Sequence, residues 1–249
     1  RDACGVGFVA NIRRQRSHEI DQKGIDILLN LVHRGACGCD PQTGDGAGLL
    51  VQIPDELFRA DCEGKLRLPG VGQYGVGCVF LPRDKAERVR VKQILEDKIF
   101  GTGQRLIGWR TVPIDDSALG PMARASAPVI EQLFVGSTCA DQDEFERKLF
   151  VIRKWSERTI RETSVPGGQG FYIPSLSSRT IVYKGLLLAE QLSKFYPDLE
   201  DPRMVSALAL VHQRFSTNTF PTWELAQPYR FIAHNGEINT VRGNAMWMH

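Results

Sequence analysis

The chain has 249 residues, 24% of them charged and 42% apolar, with a formal net charge of +2. That is the balance of an ordinary globular protein of one large or two small domains. It gives no electrostatic basis for binding nucleic acid or a membrane surface, and no apolar run approaches the roughly 20 residues needed to span a bilayer. The opening Arg1-Asp2-Ala3-Cys4 lacks the charged-then-apolar pattern of a secretory signal. Cysteines at positions 4, 37, 39, 62, 78 and 139 follow no disulfide-framework spacing, so the reading is a reduced, cytoplasmic setting, with a plastid also compatible. Arg1 is not an initiator Met, and residues 245–249 read as the opening of a helix. Both ends are therefore expected to be cuts within something longer.

Residues 4–12 are apolar, short and Gly-containing, as in a buried strand. Ile20, Ile27, Leu28, Leu31 and Val32 recur at helical spacing, and Gly35 supplies a stop. A Gly-rich turn at 43–48 leads into a strand at 49–53, ended by Pro54. A strand at 75–81, a helix with a solvated charged face at 83–99 and an extended piece at 105–112 follow. Asp141 and Glu144 form a capping pair that opens a helix through about 162, with Phe145, Leu149, Ile152 and Trp155 on one side. Strand-like pieces come next at 170–174 and 180–184, then a helix near 185–196 and extended pieces at 206–215 and 229–234. Strands in groups with long helices between them predict a mixed α+β fold rather than a parallel doubly wound sheet.

Two motif matches fail on their context. Gly70-Val71-Gly72-Gln73-Tyr74-Gly75 spells a dinucleotide fingerprint, yet Pro69 stands where a strand should end and a strand follows where a helix should begin. Cys37 and Cys39 supply half of a zinc site, but a closed site needs four ligands and no second pair is at hand. No metal is expected.

Three separated segments carry chemistry. Cys4 heads an apolar strand. If residues 1–3 were removed, its α-amino group, with an ordinary pKa of about 7.7–8.0, could serve as the general base for its own thiol. Taken alone, Cys4 reads first as a small apolar residue that starts a strand. Arg214 follows the extended run Leu208 to Val211, where a guanidinium can hold a carboxylate bidentately or sit in a structural ion pair. Asn235 and Gly236 offer adjacent N–H donors for an oxyanion, though Asn-Gly is also the commonest hairpin turn.

Together these segments resemble the class II, N-terminal nucleophile, glutamine amidotransferases, and within them the glutamate synthase large subunits. The likeness rests on Cys-Gly-Val-Gly-Phe at 4–8, His-Arg-Gly-Ala at 33–36, Gly-Asp-Gly-Ala-Gly at 44–48, Ser-Arg-Thr-Ile-Val-Tyr-Lys-Gly at 178–185 and nearly all of 212–244. Cys4 and Arg214 stand 210 positions apart, which suits the long insertion of glutamate synthases. The middle, 55–165, contributes little.

The resemblance implies a four-layer αββα sandwich of the N-terminal nucleophile hydrolase type, incomplete at its C-terminal end. It divides the chain into a leader, 1–3, and an amidotransferase domain, 4–249. It implies L-glutamine as substrate, Cys4 as nucleophile, Asn235 and Gly236 as oxyanion donors, and Arg214 with Thr217 as substrate-binding residues. Arg34 and Asp45 would shape the site from behind. Ammonia would pass to downstream synthase domains that carry FMN and an iron–sulfur cluster, with ferredoxin or a small reductase subunit as electron source. This stretch itself is expected to hold no cofactor. The family's acidic residue for the glutamine α-amino group has no position before His249, so the stretch alone is expected to be weakly active or inactive. The competing expectation is an unprocessed or truncated fragment with no catalytic role.

Overall fold

The computed structural model describes residues 5–35, 40–162, 168–213, 221–230, 232–234 and 245–248, with the side chain of Arg34 excepted. In chain order its main elements are β1 (Val6–Ala10), α1 (His18–Asn30), β2 (Ala47–Gln52), α2 (Asp55–Cys62), β3 (Tyr74–Leu81), α3 (Lys85–Gly101) and β4 (Arg105–Thr111). They continue with α4 (Pro121–Ser126), β5 (Val129–Gly136), α5 (Gln142–Glu162), β6 (Tyr172–Ser177), β7 (Thr180–Gly185), α6 (Leu192–Phe195) and β8 (Leu208–Gln213). The strands form two four-stranded sheets, in the orders β1-β8-β2-β7 and β4-β5-β3-β6. Their pairings are antiparallel. With the helices they make an α+β sandwich, the fold class expected from the sequence.

Alternation along the strands decides which side chains meet. On β3 every residue is buried, because both faces of that central strand are covered. Tyr74, Val76, Cys78 and Phe80 join an apolar cluster shared with Leu49, Ile181, Tyr183 and Val211 of the first sheet. Val79 and Leu81 point the other way, into a second cluster under α3 and α5. Helix α1 buries Ile20, Ile25 and Leu28 and belongs to the first cluster. Aspartate caps set the starts of two helices, as Asp84 accepts from Glu87 N–H at 2.9 Å and Asp141 from Glu144 N–H at 2.7 Å.

A buried ionic network ties the two sheets together. Arg110 of β4 donates to Asp198 at 2.8 Å through both Nη atoms, to Gln132 of β5 at 2.7 Å, and to Asp61 of α2. Tyr183 of β7 donates its hydroxyl to Asp198 at 3.0 Å. Bidentate pairing with further hydrogen bonds is what makes such burial tolerable.

Several sequence expectations need correction. β5, the neighbour of both β3 and β4, and the short helices α2 and α4 were not foreseen; Glu131 and Gln132 interrupt the apolar run of β5. The helix expected near 185–196 shrinks to the four residues of α6, flanked by 3₁₀ turns at Ala189–Gln191 and Pro197–Glu200. The extended piece at 229–234 contains a tight turn, with Tyr229 and Ile232 exchanging backbone hydrogen bonds at 2.7 and 2.5 Å. Trp155, expected on the buried side of α5, is 43% exposed and lies under the Lys98 ammonium, 4.5 Å from the ring centre.

Candidate active site

Antiparallel pairing brings distant parts of the sequence to one end of the first sheet. Val6 pairs with His212, and the Gln213 N–H donates to the Gly5 carbonyl at 2.7 Å. On the other side of β8, Ala47 pairs with Gln213. Gly5, Gln213 and Ala47 therefore form a row across three strands. Asp45 precedes Ala47 by two positions in the bend that enters β2. Gly35 abuts the same row, since a Cβ there would lie 2.3 Å from Gln213 Nε2.

One register step along, Lys184 pairs with Gly48 and Gly48 with His212. Gly48 is pressed against the following segment, because a Cβ on it would stand 2.4 Å from the Gln227 carbonyl. Gln227 then reaches His234 with both ends of its amide. Its Oε1 accepts from His234 N–H at 2.6 Å, and its Nε2 donates to the His234 carbonyl.

Beneath this segment lies Lys184, fully buried. Its ammonium donates to the carbonyls of Glu224 at 2.8 Å and Ala226 at 2.5 Å and sits 4.9 and 4.7 Å from the ring centres of Tyr172 and Tyr229. Burial, and next the guanidinium of Arg230, push Lys184 down to about 7. His212 and Gln213 are also buried. This end of the sheet is therefore polar inside, unlike the cluster beneath α3 and α5.

Of the residues named from sequence, Asp45 lies half-buried at this end of the sheet. The backbone of Arg34 closes a 3₁₀ turn immediately before Gly35. Cys4, Arg214, Thr217, Asn235 and Gly236 lie outside the described residues, as do Cys37 and Cys39. Three of them are nevertheless bonded to residues described above: Cys4 to Gly5, Arg214 to Gln213 and Asn235 to His234. Sequence reasoning passed over Lys184 and Gln227. A lysine on the same strand face as Val182 was the available signal for the first. Gln227 stood within the matching stretch 212–244, but no pattern marked its contact with His234.

The rejected motif at 70–75 begins as a turn, with Gln73 N–H donating to the Gly70 carbonyl at 3.0 Å, and runs into β3 at Tyr74. Among the described residues no group of three or more His, Cys, Asp or Glu side chains could hold a metal ion. The described cysteines are free thiols on separate parts of the fold, Cys62, Cys78 and Cys139, and burial pushes Cys78 up to about 12, where it is inert. No helix among these residues is long and apolar enough to cross a membrane.

The chain belongs to the class II glutamine amidotransferases, whose family model matches residues 4–249. It is 51% identical to the glutamate synthase [NADPH] large chain of Bacillus subtilis (strain 168), an alignment covering 99% of this chain and 16% of that protein. It is 47% identical to the glutamate synthase [NADPH] large chain of Azospirillum brasilense over 99% of this chain and 16% of that one. Against the chloroplastic ferredoxin-dependent glutamate synthase 2 of Arabidopsis thaliana the identity is 43%, over all of this chain and 15% of the plant protein. The chain thus spans about one-sixth of the length of these relatives.

Proposed function

We propose that this domain hydrolyses L-glutamine with Cys4 as an N-terminal nucleophile and supplies the ammonia to a glutamate synthase reaction that forms glutamate from 2-oxoglutarate. The observation that supports the reading is the row of Gly5, Gln213 and Ala47 at one end of the first sheet, with Gln227, the hydrogen-bond partner of His234, packed on the adjoining Gly48.

In this mechanism residues 1–3 are a leader whose removal frees the Cys4 amine. That amine takes the thiol proton as sulfur attacks the side-chain amide carbon of glutamine, forming the S–C bond. Asn235 and Gly236 donate to the oxyanion of the tetrahedral intermediate. Arg214 holds the substrate α-carboxylate, with Thr217 beside it, and Arg34 and Asp45 shape the pocket from behind. When the C–N bond breaks, the protonated amine gives its proton to the leaving nitrogen, and ammonia departs. Water then hydrolyses the γ-glutamyl thioester, which releases glutamate and restores the thiol.

FMN and an iron–sulfur cluster are assigned to the remaining length of the protein, where NADPH, through a small reductase subunit, or ferredoxin delivers electrons. The glutamine hydrolysis proposed here uses only side chains and backbone of this domain. Residues 4–249 alone are expected to hydrolyse glutamine far more slowly than the complete large chain, because the carboxylate for the substrate α-amino group is assigned downstream. The test is release of ammonia from L-glutamine by the complete chain and by its Cys4→Ser variant. Retention of activity in the variant would refute the assignment of the nucleophile.

A further inference from the structure

We propose that Gln227, anchored through Lys184, is the positioning residue that holds the Asn235–Gly236 donors against the developing oxyanion, an inference that rests on the oxyanion role proposed above. Gln227 is buried, and its amide serves both backbone groups of His234, the residue bonded to Asn235. A side chain that satisfies an N–H and a C=O of the same residue fixes the plane of that backbone as a neighbouring strand would.

The segment bearing Gln227 is itself held from below. Lys184 donates to Glu224 and Ala226 on the approach to Gln227, and Gly48 leaves room for the Gln227 backbone to lie on β2. Trp223, at the start of the segment, donates its indole N–H to Ala123 at 3.2 Å. These contacts connect β7, β2 and α4 to the backbone just before Asn235. Two fixed dipoles aimed at an oxyanion lose their value when misplaced by about 1 Å. In this proposal Gln227 acts through the backbone of His234 on Asn235 and Gly236.

The experiment measures glutamine hydrolysis by the complete large chain carrying Gln227→Ala, Lys184→Met and Asn235→Ala, singly and combined. Affinity for glutamate γ-semialdehyde, which adds to the thiolate as a tetrahedral adduct, is measured beside it. Gln227→Ala should lower kcat by about 10- to 100-fold with KM within about threefold, and should weaken the aldehyde in parallel. Combined with Asn235→Ala it should cost less than it does alone, because one of the two donors it positions is already gone. Multiplicative effects in that cycle, or a loss borne by KM with the aldehyde unaffected, would overturn the inference. Should Gln227→Ala fail to fold, the same cycle run with Lys184→Met decides on the same criteria. The parent reading is checked separately: full hydrolysis by Cys4→Ser would sink the site itself, whereas an inactive Cys4→Ser with unaltered kcat in Gln227→Ala sinks the positioning role alone.

Discussion

Beneath α3 and α5 the second sheet buries Val79, Leu81, Leu133, Val135 and Ile173 against Val91, Leu95, Phe145, Leu149 and Ile152. At the end of the first sheet the buried side chains include Lys184, His212, Gln213 and Gln227. Both regions are closely packed antiparallel structure, but they are held by different forces. Apolar packing is non-directional and tolerates exchange of one hydrophobe for another. Buried polar groups must find partners at set distances and angles, which costs stability where they fail and fixes the backbone where they succeed. The first region is thus suited to holding the fold and the second to holding a site.

Substitutions should separate the two regions by what they change. Cys4→Ser should lower glutamine hydrolysis by at least about 1,000-fold and leave the urea midpoint unaltered; matched losses of both would join site and scaffold. Asn235→Ala should reduce kcat by about 100- to 1,000-fold with little change in KM. In the second sheet's cluster Leu149→Ala, at a fully buried position, should cost about 2–5 kcal/mol of stability while the folded fraction keeps its kcat. A drop in kcat there would break the division.

The smallest effects are pH-dependent. Asp21 on α1 is fully buried, and neither carboxyl oxygen has a hydrogen-bond partner among the described residues; burial pushes it up to about 7. Between about pH 4 and 7 the unfolded chain has released a proton that the folded chain keeps, so stability should fall as pH rises through that window. Lys184 has the opposite sign. Its pKa is lowered to about 7, so between about pH 7 and 10.4 the unfolded chain holds the extra proton and stability should rise with pH. Urea titrations across pH should show both limbs. Asp21→Asn should remove the acidic limb and Lys184→Met the alkaline one; survival of either limb in its variant would contradict that origin.

The same contrast explains what the sequence disclosed. An unbroken apolar run marked β3, and the capping pair Asp141 and Glu144 marked α5, because both signals are local. β5 escaped because Glu131 and Gln132 break its apolar run, and they do so to reach partners on other elements: Glu131 pairs with Lys92 at 2.6 Å and Gln132 with Arg110. The helix expected near 185–196 failed for one tertiary and one local reason: Gly185 lies against Trp223, and the Leu188 N–H is capped by the Gln191 side chain at 2.8 Å, which starts a 3₁₀ turn there instead. The family's motifs were legible as residue types and order. Lys184 and Gln227 stood inside the matching stretches but were given no role, because their partners are backbone carbonyls and amides that no motif spells.

The most direct measurement is the intact and peptide mass of the complete large chain after reaction with 6-diazo-5-oxo-L-norleucine, a glutamine-like electrophile. The mechanism predicts a mature chain starting at Cys4 and carrying one adduct on that cysteine, formed in step with loss of glutamine hydrolysis. An active chain that retains residues 1–3, or inactivation with the adduct on another residue, would contradict it.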